Sequence, residues 1–176
     1  MLGPTLETER LLLRPPVEED LDGWAELMAD DSSRFIGGPV ARPAAWRGMA
    51  TMAGHWALRG FGMFSVVEKS SGRWIGRLGP WLPDDWPGTE VGWGLLRSAC
   101  GKGYATEGAA AAMDWAFDEL GWDEVIHCID PENVGSIHVA QRLGSTNRGP
   151  GILPPPFESL NVDIWGQTRS EWRRRS

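Results

Sequence analysis

Cysteines, metal-ligand patterns and long apolar runs are all scarce in this chain of 176 residues. Only Cys100 and Cys128 are present, so neither a disulfide framework nor a cysteine metal cluster is expected. The three histidines lack metal-ligand spacing, and we predict no metal site. No apolar run approaches the roughly 18 residues of a membrane span, and the start of the chain lacks the pattern of a secretory signal. These absences predict a reduced, cytoplasmic protein with no membrane partner.

Basic residues are also fewer than acidic residues in this chain. The chain has 17 Lys and Arg residues against 24 Asp and Glu residues, and its net charge is −7. Nucleic acid is not expected as a partner, because phosphate binding requires a basic stripe. The acidic balance weakly favours a cationic partner such as an amine. The length fits a single domain over residues 1–176, either as a monomer or as a homodimer.

Apolar periodicity and turn residues divide the chain into alternating strands and helices. The predicted strands cover residues 5–14, 62–69, 73–81, 89–96, 124–129 and 161–167. The predicted helices cover residues 17–29, 43–59, 103–120, 133–143 and 168–175, and residues 150–156 are predicted to form a proline-rich loop. The order β-α-α-β-β-β-α-β-α-β, before the helical tail, indicates an α+β or α/β fold with a mixed sheet.

The strongest chemical signal lies where a predicted strand ends and a long helix begins, in residues 95–107 (LLRSACGKGYATE). Gly101 and Gly103 allow the backbone to turn and to approach a ligand without a Cβ clash. The amides in the first turn of the following helix are free to bind an anion. Lys102 adds a positive charge between the glycines. The segment therefore predicts a cradle for a pyrophosphate.

The common nucleotide motifs do not fit this cradle. The Walker A pattern requires glycine where Leu96 stands, and Ser or Thr where Gly103 stands. The dinucleotide pattern requires a third glycine at the position of Thr106. A nucleotide-phosphate enzyme is therefore disfavoured.

A second motif lies further along the chain, in residues 131–136 (PENVGS), on a predicted helix that ends at Leu143 and Gly144. Together with GKGYATEG at residues 101–108, it resembles the GNAT superfamily of acetyltransferases. The resemblance is closer to the branch that acetylates ribosomal-protein N-termini, the RimJ/RimL-like group, and it covers nearly the whole chain. Ser98 departs from the pattern, because Gln or Arg is usual three positions before the first glycine.

This resemblance implies the GNAT fold, a mixed central sheet of about seven strands flanked by helices, with a V-shaped cleft where one strand splays from its neighbour. It also implies acetyl-CoA as the cofactor and CoA as the product. Asn133 is implied to hydrogen-bond the pantetheine arm. Leu95, Leu96 and Arg97 are implied to run beside that arm. The residues implied to hold the pyrophosphate are Gly101, Lys102, Gly103, Tyr104, Ala105 and Thr106.

Direct acetyl transfer to a primary amine benefits from a group that accepts the ammonium proton, because an alkylamine has a pKa near ~10. Glu90 is the predicted base, since strand alternation puts it on one face with Gly92 and Gly94, and a glutamate here is similar to the base of several GNAT branches. A solvated glutamate at a strand start is the alternative interpretation. Glu158 and a water relay are further candidates. A backbone amide near Leu95 is expected to meet the oxyanion.

The remaining assignments concern the leaving thiolate and the acceptor. Ser136 matches a position that can hydrogen-bond the thiolate in RimL-like enzymes, although a serine early in a helix also caps locally. Cys100 is not expected to act as a nucleophile, because GNAT enzymes transfer the acetyl group directly. On the acceptor side we predict Phe35, Trp46 and Trp56, whose rings suit a cation or a peptide start and suit a core equally well.

Two functions of different classes are consistent with these motifs. One is an N-acetyltransferase that moves an acetyl group from acetyl-CoA to a protein N-terminus or a small-molecule amine. The other is a catalytically weak acyl-CoA-binding or regulatory module with the same fold. A donor with a longer acyl chain is also left open.

Overall fold

The computed structural model describes residues 2–175, in which strands of one sheet run in the order β1-β2-β3-β4-β5-β6-β8-β7. All neighbouring strands are antiparallel except β5 and β6, which are parallel. The strands are β1 (Leu6–Glu7), β2 (Leu11–Arg14), β3 (Phe64–Glu68), β4 (Trp74–Trp81), β5 (Glu90–Leu95), β6 (Glu124–Ile129), β7 (Thr146–Gly151) and β8 (Val162–Thr168). The helices are α1 (Leu21–Ala29), α2 (Arg42–Arg59), α3 (Tyr104–Asp118), α4 (Val134–Leu143) and α5 (Arg169–Arg173).

The mixed sheet flanked by helices confirms the predicted fold class. In the described residues it has eight strands, against about seven implied by the resemblance and six located in the sequence. One extra strand arises because the predicted first strand divides into β1 and β2 at a turn held by Thr8, whose hydroxyl accepts the Leu11 amide at 3.0 Å. The other is β7, which begins before the predicted loop at residues 150–156 and overlaps it. Pro150 lies within β7 at a register shift on the edge of the sheet, where a missing N–H is tolerated.

Helices cover the two faces of the sheet. On one face α3 packs so tightly that a Cβ on Gly108 would lie 2.6 Å from the Leu78 side chain of β4. The residue before Leu78, Arg77, points to the opposite face of the sheet. There the centroid of the Trp24 ring of α1 lies 5.8 Å from the guanidinium carbon of Arg77. The most buried large residues of this core include Trp56, Phe64, Phe117, Leu11, Leu13, Leu78 and Met113.

The V-shaped cleft opens between β5 and β6, which are bridged at a single pair, Glu90 and Ile126. Beyond that pair, the described residues of the two strands are joined by hydrogen bonds between side chains and the backbone and not by backbone–backbone hydrogen bonds. The Glu90 carboxylate accepts the Cys128 amide at 3.2 Å, and Nδ1 of His127 lies 2.7 Å from the Val91 carbonyl oxygen. Since a carbonyl only accepts, His127 donates from Nδ1. The predicted splay is therefore present, held open by two side chains. Among the helices of residues 2–175, none is long and apolar enough to cross a membrane.

Candidate active site

The cradle predicted from the glycines lies at the N-terminus of α3. Gly101 and Gly103 have φ angles of 75° and 83°, in the left-handed region that favours glycine. The first α-helical bond in this turn joins the Glu107 amide to the Gly103 carbonyl at 3.0 Å. The preceding amides of Tyr104, Ala105 and Thr106 consequently have no partner within the helix. They form an anion site at the positive end of the helix dipole.

The side chain of Thr106 strengthens the case for a ligand in this cradle. Its Oγ1 is buried and has no hydrogen-bond partner among the described residues, although Thr106 lines the cavity above the helix end. A buried hydroxyl without a partner carries a desolvation penalty. Ligand oxygens that accept hydrogen bonds, as those of a pyrophosphate do, would relieve it.

An ion pair with the first strands fixes the position of the cradle. Glu107 accepts hydrogen bonds from the Arg10 amide at 2.9 Å and from Arg10 Nε at 2.6 Å, and also from the Thr8 hydroxyl. Burial alone raises the pKa of Glu107, but these hydrogen bonds outweigh it and hold the pKa below its usual range. The segment ETERLLLRP thus anchors the start of α3 to the sheet.

The side chains of several predicted cofactor residues point away from the cleft. The Tyr104 hydroxyl donates to Glu68 at 2.6 Å, and the Leu96 side chain is buried in the core. Arg97 forms an ion pair with Asp30 at 2.8 Å. None of Leu96, Arg97 and Lys102 lines the cavity, in contrast to Leu95, Gly101, Gly103, Tyr104, Ala105 and Thr106. Any contact of Leu96, Arg97 or Lys102 with a cofactor is therefore left to the backbone or to movement of a side chain.

Asn133 and Ser136 face the same cavity from the start of α4. Oδ1 of Asn133 accepts the Ser136 amide at 3.2 Å, which caps the helix and leaves the Asn133 amide group free to donate. Trp93 of β5 donates from Nε1 to Ser136 Oγ at 3.1 Å. The hydroxyl hydrogen of Ser136 is therefore available for another acceptor, since Oγ serves Trp93 through a lone pair.

A second cavity of about 150 Å³, open to solvent, lies on the α1–α2 face of the sheet. It has apolar walls, as small-molecule sites usually do. Arg77, Glu90, His127, Cys128 and Asp130 are the charged or titratable groups that line it. The apolar lining includes Met52, Met63, Trp81, Trp86, Leu153, Phe157 and Leu160.

Glu90 is the buried carboxylate of this cavity, with 6% of its surface exposed. Its Oε2 accepts a hydrogen bond from Nε1 of Trp86. Burial raises the pKa of Glu90 above its ordinary value, against the opposing effects of the Cys128 and Trp86 hydrogen bonds and the Arg77 charge. A carboxylate held in this way is a stronger base than one in water. The interpretation of Glu90 as a solvated strand-start residue is wrong.

The two cavities meet at a junction lined in common by Phe35, Ile36, Trp93, Asn133 and Ser136. One side of the junction leads to the free amides of α3 and the other leads to Glu90. A ligand that extends from the cradle would thus present its far end to the buried carboxylate.

Three sequence-based candidates lie elsewhere. Trp56 was predicted at the acceptor site but is 1% exposed, and it packs against Phe64 in the core with Nε1 donating to Met63 O at 2.9 Å. Trp46 is 49% exposed on α2 and lines neither cavity. Both acceptor assignments are therefore corrected. Glu158 is exposed and also lines neither cavity, so the structure gives it no role as the base.

Sequence reasoning missed Arg77, Trp86 and Trp93, which the fold brings to the cavities from β4, from the turn after it and from β5. Arg77 carried a signal, because it is a charged residue inside an otherwise apolar run, RWIGRLGPW. Trp86 and Trp93 carried no such signal, because the sequence does not distinguish a tryptophan in a cavity wall from one in the core.

Comparison with known proteins identifies the class to which this fold and site belong. The family described as "Acetyltransferase (GNAT) domain" matches residues 10–146, more than half of the chain. The chain therefore belongs to the GNAT acetyltransferase family, and it is an N-acetyltransferase.

Particular relatives agree with this family. The chain is 30% identical over 149 residues to "Uncharacterized N-acetyltransferase p20" of Bacillus licheniformis, covering 82% of this chain and 84% of that protein. An acetyltransferase structure from Agrobacterium tumefaciens str. C58 matches with a TM-score of 0.82 at 32% identity, covering 94% of this chain and 95% of that one. Mycobacterium smegmatis RimJ, in complex with CoA-disulfide, shares the fold with a TM-score of 0.72 at 19% identity, over 92% and 83% of the two chains.

Proposed function

We propose that this protein transfers an acetyl group from acetyl-CoA directly to a primary amine. The observation that carries the proposal is the junction of the two cavities, which places free helix-end amides on one side and a buried carboxylate on the other. Acetyl-CoA has a pyrophosphate at a distance from its reactive thioester, and an arm joins the two. A site built from a cradle, a channel and a base matches that arrangement.

On the cofactor side, residues from three elements would hold acetyl-CoA. The amides of Gly101 to Thr106 and the free Thr106 hydroxyl would bind the pyrophosphate. Asn133 would donate its side-chain amide to the pantetheine arm. When bound, acetyl-CoA supplies an activated acetyl group and a thiolate that can leave.

The open edge of β5 would also contact the arm. The Leu96 amide donates to the Ile75 carbonyl of the β4 side at 2.9 Å. Because hydrogen-bonded and non-bonded pairs alternate in an antiparallel ladder, the backbone groups of Trp93 and Leu95 face away from β4 and into the splay. There they can bind an extended ligand as an added strand would, and an amide near Leu95 can stabilise the oxyanion.

On the acceptor side, Glu90 would accept one proton from the ammonium group, directly or through one water. The amine nitrogen then bonds to the acetyl carbon as the carbon–sulfur bond breaks. A second proton leaves the nitrogen as the amide forms. It ends on the departing CoA sulfur, which becomes the free thiol. Ser136 stabilises the departing sulfur by donating its hydroxyl hydrogen, which the hydrogen bond from Trp93 leaves free.

Two measurements test this proposal. Acetyl-CoA is expected to raise the melting temperature, while ATP and NAD leave it unchanged, because only a ligand that binds the folded state stabilises it. A thiol-release assay with acetyl-CoA and a panel of amines and N-terminal peptides should show turnover. If acetyl-CoA gives neither a melting shift nor turnover, the proposed function is wrong. Binding without turnover on any acceptor would indicate the acyl-CoA-binding module instead.

A further inference from the structure

Arg77 is a buried cation in the acceptor cavity, and no oxygen of the described residues accepts a hydrogen bond from it. It is 7% exposed, and its Nε is buried without a hydrogen bond among the described residues. Its Nη1 contacts the thioether sulfur of Met63, which is a weak acceptor. No carboxylate of residues 2–175 forms an ion pair with it.

Such a group is costly in a folded protein. A guanidinium carries five N–H donors, and a buried charge without a hydrogen-bonded partner is strongly disfavoured. The Trp24 ring supplies a cation–π contact with its centroid 5.8 Å away. Burial lowers the pKa of Arg77 to about 10, against the Glu90 charge, so the group stays charged at neutral pH. The donors of Arg77 are thus available to an anion that enters the cavity.

Arg77 and Glu90 line the same cavity from neighbouring strands. Arg77 is paired across the ladder with Gly94, and Glu90, Gly92 and Gly94 share one face of β5. A Cβ on Gly94 would lie 3.0 Å from Ile36 Cδ1 and 4.0 Å from Arg77 Nε. A Cβ on Gly92 would lie 2.8 Å from Met63 Cε and 3.3 Å from Glu90 Oε1. The small glycines let Met63 and Ile36 pack closely against β5, and these two side chains line the cavity together with Arg77 and Glu90. A small ligand in that cavity could therefore contact both charged groups.

We propose that the acceptor is a small primary amine that carries a carboxylate, with its amine at Glu90 and its carboxylate at Arg77. The inference rests on the proposed acetyl transfer. The planar guanidinium matches a carboxylate with two parallel hydrogen bonds. The remaining charged lining residue, Asp130, already accepts the Glu132 amide at 2.8 Å. A protein N-terminus fits the same pair of charges poorly, because the group next to its amine is a neutral carbonyl.

The test compares acceptors that differ only at the carboxylate. Straight-chain amino acids from glycine to 6-aminohexanoate, their carboxamides and short N-terminal peptides are assayed by thiol release with acetyl-CoA. At least one acid should exceed its own amide by about tenfold or more in kcat/KM, the size expected for hydrogen bonds to a charged group. In Arg77→Met this acid should fall to the level of its amide, and Arg77→Lys should recover part of the preference.

Two controls make the result interpretable. Rates are compared on the plateau of each pH profile, because loss of Arg77 also alters the pKa of Glu90. The melting shift with acetyl-CoA should be equal in the wild type and in Arg77→Met, which reports folding and cofactor binding separately from acceptor choice.

Several outcomes overturn the proposal while acetyl transfer stands. These are equal rates for acids and amides in the wild type, better turnover of peptides, or an acid preference that persists in Arg77→Met. Turnover of amides or peptides without turnover of any acid also overturns it. Loss of both the melting shift and all turnover refutes acetyl transfer itself. That result is therefore distinguishable from failure of the acceptor proposal alone.

Discussion

The two sides of the junction are built from different parts of the chain. In the proposed complex, the cofactor side uses the backbone, since its donors would be the amides at the start of α3 and along the open edge of β5. The acceptor side uses side chains, since Glu90, Arg77 and Trp86 come from two strands and the turn between them. A backbone site constrains φ angles and tolerates change in most side chains, whereas a side-chain site constrains residue types and rotamers. Substitutions on the two sides should therefore fail in different ways.

The largest expected effect is on the acceptor side. Glu90→Gln keeps the volume and removes the base, so kcat should fall by about 100-fold or more near neutral pH. Acetyl-CoA affinity should change little. In the wild type, activity should be lost as the pH falls through the raised pKa of Glu90, because protonation removes the base.

Steady-state kinetics over a pH series check this prediction. Glu158→Gln serves as the control, because that side chain is exposed and outside both cavities. If Glu90→Gln keeps the wild-type rate and the acidic limb of the profile, Glu90 is not the base.

A smaller effect is expected from backbone strain on the cofactor side. Gly101 has a φ of 75° and open space around a built Cβ, so Gly101→Ala adds strain without a clash. An L residue there costs about 1–2 kcal/mol, which corresponds to a loss of acetyl-CoA affinity of about five- to thirtyfold if binding requires this conformation. Titration by intrinsic tryptophan fluorescence or calorimetry measures it.

Gly72 provides a matched control for this strain. It has a φ of 68° and also has open space around a built Cβ, but it lies between β3 and β4 away from both cavities. Gly72→Ala should lower the melting temperature by a similar amount and leave acetyl-CoA affinity unchanged. Equal affinity losses in the two variants would show that the effect is global destabilisation.

Ser136 lies at the junction, and its removal should have an intermediate effect on the chemical step. Ser136→Ala removes one hydrogen bond to the leaving sulfur, worth about 0.5–1.5 kcal/mol, so kcat should fall by about two- to twelvefold. The helix cap should survive, because Asn133 bonds the backbone amide of residue 136. An unchanged kcat with a lowered melting temperature would assign Ser136 a structural role alone.

The smallest expected effect on activity comes from the ion pair that anchors the cradle, because its loss acts on folding stability. The pKa of Glu107 is lowered by its partners Thr8 and Arg10 in spite of burial, so its stabilisation is present above the unfolded pKa and is lost as the pH falls through the folded value. Glu107→Gln should therefore cost about 1–3 kcal/mol of unfolding free energy at pH 7, and the difference from wild type should shrink towards pH 3. Urea unfolding at both pH values tests it, with the exposed Glu119→Gln as control.

These contrasts explain what could be predicted from the sequence. The cradle could be located because left-handed backbone at Gly101 and Gly103 requires a residue type that the sequence displays. Strand alternation correctly placed Glu90 with Gly92 and Gly94. The acceptor wall could not be assigned, because an aromatic residue such as Trp56 serves a core and a cavity equally well.

Other misses have a similar origin. The strand β7 was hidden by its glycine and proline residues, since its pairing with β8 depends on a register shift that no local pattern records. Arg77 was overlooked because only the folded sheet shows that it is buried beside Glu90. Both features depend on contacts between residues that are far apart in the sequence.

The single bridge between β5 and β6 makes β5 an edge strand in the interior of a sheet. Open strand edges usually invite pairing with foreign chains, and proteins protect them. Here the edge lies inside a cleft roofed by α4, and an extended ligand can pair with it. In hydrogen exchange, the amides of Trp93 and Leu95 should therefore exchange rapidly in the free protein and become slow when acetyl-CoA binds. Cofactor binding, as proposed, would in this sense complete the sheet.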